Sequence, residues 1–277
     1  MYYNEGTGYS TTVTTSDSGY GDAQEFTTED LGWRVLGINT NGELELISDN
    51  PTTYELYLKE ETGYLNAENV LNNMCNELFG KGIYSTGARS LNVEDINKLA
   101  NYDPTTYDGY IWTYRFSTSG EERIQYKTTK KDGTLVKDWT TNYNLKKFRL
   151  PGETETISAD NKNDTGRSLE DTKYSYNVAD KVKQTTSDGK KMSDIISNGT
   201  GSSIETQWLA SRSVGCGSAD VTFYIRCVSD WVSSWFFYRA SGETRYDMYA
   251  NYRVRPVVSL ESDIQLSGNS NDGWTIN

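Results

Sequence analysis

Two strictly alternating segments bracket the part of this chain that most restricts its fold. Val221, Phe223, Ile225 and Cys227 alternate with Thr222, Tyr224 and Arg226, and Val254, Pro256, Val258 and Leu260 alternate with Arg253 and Arg255. A period of two belongs to strands with one buried face. WLASR (Trp208–Arg212) and RVRPVVSL (Arg253–Leu260) therefore read as core strands. Thr222, Tyr224 and Arg226 are expected to look outward.

Between the strands, Ser229–Tyr252 follows no single period. The thirty residues from Phe223 to Tyr252 hold ten aromatics with Arg226, Arg239 and Arg245 among them, and Arg253 follows directly. No lysine follows Lys191. Two readings fit such a stretch. Some of Phe236, Phe237 and Tyr238 must be core, since exposed aromatics are ordinary only singly. Recognition surfaces, however, are rich in Tyr, Trp and Arg and poor in Lys. The residues expected on such a face are Tyr224, Arg226, Trp231, Trp235, Phe237, Arg239, Arg245, Tyr246, Tyr249 and Tyr252. Aromatics would supply contact area and arginines polar anchors.

Upstream, Trp33–Ile38 and Glu43–Ser48 flank NTNG, a hairpin signal. Alternation puts Leu44 and Leu46 on one face and Glu45 on the other. Ala67, Val70, Leu71, Met74, Cys75 and Leu78 recur at three- and four-residue steps, which predicts a helix over Asn66–Phe79, capped by Asn66 and Gly80. A second helix is expected over Val93–Asn101, with Asn92 as its cap and Glu94 and Asp95 at the positive end of its dipole. Tyr110–Phe116 reads as a strand and Lys190–Ser197 as a short helix. Residues 1–28 read as an extended arm, 29–262 as a single domain with an insertion at about 117–201, and 263–277 as a tail. Neither half holds enough apolar residues for a core of its own, so the two are expected to share one. The fold class expected is α+β: two helices on a small, mostly antiparallel sheet with long loops.

Several chemistries lack their residues. The chain has no histidine and a net charge of −12. The first removes the commonest general base and metal ligand; the second argues against nucleic acid and anionic membranes as partners. Cys75, Cys216 and Cys227 form no CxxC pair. Cys75 reads as a buried thiol, and whether Cys216 and Cys227 pair stays open. Asp160–Asp171 imitates a calcium loop, but Lys162 stands where an oxygen ligand belongs. No GxSxG and no phosphate-binding glycine loop occurs. No run is apolar enough to span a bilayer and no signal peptide is visible. The expectations are no cofactor, no metal and no catalysis, with any export or anchoring segment lying outside this chain.

WxVLGxxxxGxLxLIS (Trp33–Ser48), LNxxCxxL (Leu71–Leu78), ARSLNxEDI (Ala88–Ile96) and the closing WLASR…VRPVVSL resemble a group of bacterial and phage proteins, often secreted, pilin-linked or virion-borne. The resemblance covers about 32–99 and 207–260 and brings no catalytic residues with it. The closing segment also resembles the C-type-lectin-like, formylglycine-generating-enzyme-like fold, a scaffold of variable proteins diversified by diversity-generating retroelements. Ser213–Arg253 contains no Lys, Gln, His, Pro or Leu, as mutation of asparagine codons at adenines would leave it, although Trp231, Trp235, Glu243 and Met248 are not reachable that way. The triplets with which C-type lectins bind calcium and sugar are absent. Cys216 and Cys227 do not match the close cysteine pair of the formylglycine-generating enzymes. The resemblance implies an extracellular, cell-surface or virion protein that binds a protein or glycan on another cell or particle. A structural surface or pilus-associated subunit is the alternative, and an enzyme of the formylglycine-generating type a further one.

Overall fold

The stripe of Ala67, Val70, Leu71, Met74, Cys75 and Leu78 lies buried along one side of a twenty-residue helix that organises the fold. The computed structural model describes residues 8–99, 110–116, 124–130, 133–142, 147–149, 151–152, 156–158, 168–170, 206–216, 220–228, 232–241, 244–269 and 273–276. In chain order the first elements are β1 (Ser10–Val13), α1 (Thr15–Ser18), β2 (Gln24–Thr27), β3 (Trp33–Ile38), β4 (Leu44–Ser48), β5 (Glu55–Lys59), α2 (Glu60–Phe79), β6 (Ser85–Ser90) and α3 (Val93–Leu99). Then comes β7 (Tyr110–Phe116), followed in the insertion by β8 (Ile124–Lys130), β9 (Leu135–Asn142), β10 (Lys147–Arg149), β11 (Thr156–Ser158) and β12 (Ser168–Glu170). The chain closes with β13 (Gln207–Cys216), β14 (Asp220–Val228), β15 (Val232–Ser241), β16 (Thr244–Asp247), β17 (Tyr249–Arg253), β18 (Pro256–Leu260), β19 (Leu266–Asn269) and β20 (Gly273–Ile276). The class is α+β, with mostly antiparallel sheets and three helices among the described residues. The expected helix over Lys190–Ser197 and most of Asp160–Asp171 lie outside the described residues.

Two sheets build the core, and both combine strands from the two ends of the chain. The larger runs β16-β15-β14-β13-β17-β5, the smaller β3-β4-β18-β6. In the larger, β17 pairs antiparallel with β5, Asn251 opposite Tyr57. In the smaller, β18 lies between β4 and β6. Helix α2 packs against both and seals a shared core that includes Trp33, Leu46, Leu56, Leu58, Leu71, Trp208, Ile225, Val258 and Leu260. Strands of the insertion form a separate sheet with β7, in the order β12-β7-β8-β9, and the strand expected over Tyr110–Phe116 has those bounds.

Helix α2 starts six residues before the expected Asn66. Gly63 reads in sequence as a breaker, but packing requires it: a Cβ there would lie 2.9 Å from Ser18 O. Asn66 is not the cap. Its Nδ2 donates to Ser16 O and Asp17 O, both at 3.1 Å, and so holds α1. Gly80 does end the helix, donating its N–H to Asn76 O at 3.0 Å. A Cβ at Gly80 would meet Ala88 N at 2.8 Å, so close approach of β6 selects the glycine there. At α3 the capping expectation stands: Asp95 N–H donates to Asn92 Oδ1 at 2.9 Å and Asn92 N–H to Asp95 Oδ2 at 3.0 Å, a reciprocal pair. The NTNG hairpin closes with Gly42 donating to Asn39 O at 3.1 Å. Gly42 has φ +83°, the left-handed conformation glycine adopts without a steric penalty.

Three expectations need correction. The segment 8–28 is not an extended arm: β1 and β2 form a ladder from Ser10↔Thr27 to Val13↔Gln24, and Val13 and Phe26 join the core. Their apolar side chains are too few to show a period, yet burial against α2 is enough to dock them. The C-terminal segment likewise contains the hairpin β19–β20. Third, Glu45 and Arg255 are buried rather than on a solvated face, because neighbours cover both sides of the smaller sheet. Arg89 satisfies Glu45 at 2.8 Å and Asp95 at 2.6 Å. Burial works against the charge of Arg89, but the hydrogen bond and charge of Asp95, then Glu45, outweigh it and raise its pKa.

Candidate functional site

The alternation of β14 sorts its side chains as expected on one face only. Phe223, Ile225 and Cys227 are buried toward α2, and Phe223 meets the Tyr64 ring edge-on, with centroids 5.4 Å apart. The opposite face is not open. Thr222 and Arg226 are each 4% exposed, and Gln207, Ser211 and Ser213 on β13 are buried as well; only Tyr224 stays half-exposed. Neighbouring elements account for this. Ala210 N–H donates to Leu91 O at 2.9 Å and Val93 N–H to Ser211 Oγ at 3.1 Å, which brings α3 onto β13. Strand β12 of the insertion also contacts β13. A covered sheet face can carry polar side chains, and alternation alone does not distinguish that face from an exposed one. Arg226 is therefore corrected from an outward anchor to a buried residue.

Tyr252 is corrected to a half-buried residue packed against the core. Its ring lies 4.4 Å from that of Trp208, and burial, then the charge of Cys227, raise its pKa to about 12. Trp208 in turn donates Nε1 to Leu56 O at 3.0 Å.

The other expected residues sit along the continuation of the sheet. In the ladders Trp235 stands opposite Ile225, Arg239 opposite Thr222 and Tyr246, and Arg245 opposite Ala240. Phe237 falls at the register shift, because Phe223 pairs with Tyr238 and Tyr224 with Phe236. Such a shift marks a bulge, which bends the strand and re-aims its neighbours. Trp231 lies outside the described residues.

Tyr249 is where the expectation of exposure is met. It is 59% exposed, and the alternation of β17 places Asn251 and Arg253 on its side, with Ala250 and Tyr252 toward the core. The antiparallel register sets Lys59, Tyr57 and Glu55 of β5 opposite these three. Asn251 Nδ2 donates to Glu55 Oε2, and Lys59 Nζ pairs with Glu60 Oε1 at 2.9 Å. Tyr20 stacks on Tyr57, with centroids 4.6 Å and planes 29° apart. Three tyrosines, an arginine and an asparagine thus share the outer side of β17 and β5. Sequence reasoning missed Tyr20, Tyr57 and Asn251. The alternating ELYLK of β5 (Glu55–Lys59) was the available signal for Tyr57; nothing local marks Tyr20.

The arrangement offers aromatic faces and hydrogen-bonding groups. Among the described residues no cluster of Cys, Asp and Glu is placed to hold a metal ion, and no helix is long and apolar enough to cross a membrane. Cys75 and Cys227 are buried thiols. Cys216 pairs with Val221 and Cys227 with Trp208, at opposite ends of the β13–β14 ladder. The six steps from Val221 to Cys227, at about 3.4 Å each, exceed the span of a disulfide. No family model, curated protein or solved structure matches the chain.

Proposed function

We propose that the protein recognises a macromolecular ligand, a protein or glycan on another cell or particle, and performs no chemistry on it. One observation carries the reading: Tyr249 projects into solvent beside Asn251 and Arg253, with Tyr57 and Tyr20 across from them. Rigid aromatic side chains on strands present contact area at little entropic cost, and Asn and Arg add directional bonds. Trp235, Phe237, Arg239, Arg245 and Tyr246 are proposed to extend the recognition region onto β15 and β16, which β14 and β13 separate from β17. Arg226 lies buried elsewhere on that sheet face, and Tyr252 packs on Trp208 on its core side.

The scaffold proposed is C-type-lectin-like, in a protein of the cell surface or virion whose recognition segment is diversified by a retroelement. The interleaving of strands from both chain ends, β5 with β17 and β18 between β4 and β6, supports this scaffold. Two experiments bear on the proposal. Labelled protein applied to glycan arrays and to panels of bacterial cells should bind, and Tyr249→Ser should weaken the signal at least about tenfold, as for an anchor residue. Equal binding by parent and variant would overturn the site. In the surrounding DNA, a reverse transcriptase gene beside a near-copy of the Ser213–Leu260 coding sequence, differing at adenines, is expected; its absence would overturn the diversification.

A further inference from the structure

Open sheet edges present backbone donors and acceptors to any passing strand, and two edges of this fold are closed by side-chain amides. On β6, Asn72 Oδ1 accepts from Ser90 N–H and Asn76 Oδ1 from Ala88 N–H, both at 3.1 Å. Those asparagines belong to α2, at the centre of the core. On β5, Gln24 Nε2 donates to Tyr57 O at 3.0 Å and Gln24 Oε1 accepts from Tyr57 N–H at 2.7 Å. One glutamine side chain thereby imitates one residue of a neighbouring strand. Gln24 belongs to the peripheral β1–α1–β2 unit, which is held by Val13, Phe26, the Tyr20–Tyr57 stack and the two bonds from Asn66.

We infer that the β1–α1–β2 unit is an edge guard, and that the β5 edge beneath it fits a second copy of this chain. Three features of the edge agree. Tyr57 turns its backbone groups away from β17, so the alternate residues Glu55 and Lys59 face the same way. Two β5 edges can then run antiparallel about a twofold axis through Tyr57, exchanging both N–H···O bonds of that residue. In that register Glu55 of one copy stands opposite Lys59 of the other, so opposite charges meet at both ends. Neighbouring strands need a separation of about 4.8 Å, and the Gln24 side chain, bonded to both backbone groups of Tyr57, occupies that space. The guard and a second copy therefore exclude one another.

The experiment compares the unmodified chain, Gln24→Ala, and Gln24→Ala combined with Lys59→Glu, by sedimentation equilibrium and circular dichroism. Gln24→Ala should fold and self-associate at least about tenfold more tightly than the parent. Lys59→Glu sets like charges against Glu55 of the second copy and should return association to the parental level. A folded Gln24→Ala that associates no more than the parent overturns the inference, as does association that survives Lys59→Glu. If Gln24→Ala does not fold, hydrogen exchange of the unmodified chain decides. The Tyr57 amide should exchange as slowly as those of Leu56 and Leu58, and exchange at the rate of an open edge overturns the guard.

Discussion

Replacing Arg255 by methionine should destabilise the fold by about 2–4 kcal/mol, although Arg255 is no part of the proposed ligand face. Arg255 is 0% exposed. Its Nε and Nη2 donate to Ser48 O at 3.0 and 2.8 Å, and Nη2 donates also to Asp49 O at 2.7 Å. These bonds fasten β18 to the end of β4, beside the Arg34–Asp49 ion pair at 2.7 Å. Methionine fills much of the same volume, so little of the loss comes from a cavity. The loss comes from stranded acceptors, each worth about 1–3 kcal/mol when buried. Asp49 is half-buried and water recovers part of its share. Removing the buried cation offsets some of the rest, because burial and then Arg34 lower the Arg255 pKa to about 9. That value still leaves it charged at neutral pH. The assay is urea unfolding with linear extrapolation, with Arg253→Met as the control on a half-exposed neighbour. A loss below about 1 kcal/mol at Arg255, or an equal loss at Arg253, would refute the reasoning.

Other outcomes follow from the same contacts. Leu71→Ala, at a fully buried α2 position, should cost about 2–5 kcal/mol; a loss well under about 1 kcal/mol in the same titration would show that the stripe is not core. Arg226→Ser should lower the melting temperature clearly more than Tyr249→Ser, reversing the order expected if Arg226 were an outward anchor. Burial pushes the Cys75 thiol pKa up, against a smaller opposing effect of Arg89. Its contribution is therefore fully present below the unfolded thiol pKa, about 8.5, and lost as pH rises above it. The stability advantage of the parent over Cys75→Ala should shrink above that pH by up to about 1.4 kcal/mol per unit, and a pH-independent difference would contradict the burial. Reductant should leave the melting temperature unchanged, and a large drop would reveal a disulfide involving Cys216.

Long periodic segments were legible in the sequence because each writes its own burial pattern. The α2 stripe, β7, the α3 cap and the core face of β14 all follow from spacing. The start of α2 was not legible, since Gly63 is chosen by contact with Ser18, forty-five residues away in the chain. Nor was the docking of 8–28, in which only two apolar side chains, Val13 and Phe26, join the core. The largest gap concerned polar residues on covered sheet faces. Arg226, Glu45 and Arg255 each occupy a position that alternation assigns to solvent, and each is buried beneath elements contributed from elsewhere in the chain. For the proposed site, Tyr249 was legible from composition, whereas Tyr57 and Tyr20 join it only through the β5–β17 register and one ring stack.

Thermal unfolding and ligand binding measured on a single variant, Tyr57→Ser with Tyr249→Ser and Asn251→Ser, test the recognition face most directly. Substituting the exposed Tyr249 costs no more than about 0.5 kcal/mol. The half-buried Tyr57 and Asn251 lose the Tyr20 stack and the Glu55 bond, at about 1 kcal/mol each. Each kcal/mol moves the melting temperature of a domain of about this size by roughly 2–4 °C. The variant should therefore melt within about 10 °C of the parent and lose the array and cell binding of the unmodified chain. A variant that unfolds outright would make these residues structural, and one that folds and binds like the parent would place recognition elsewhere in the molecule.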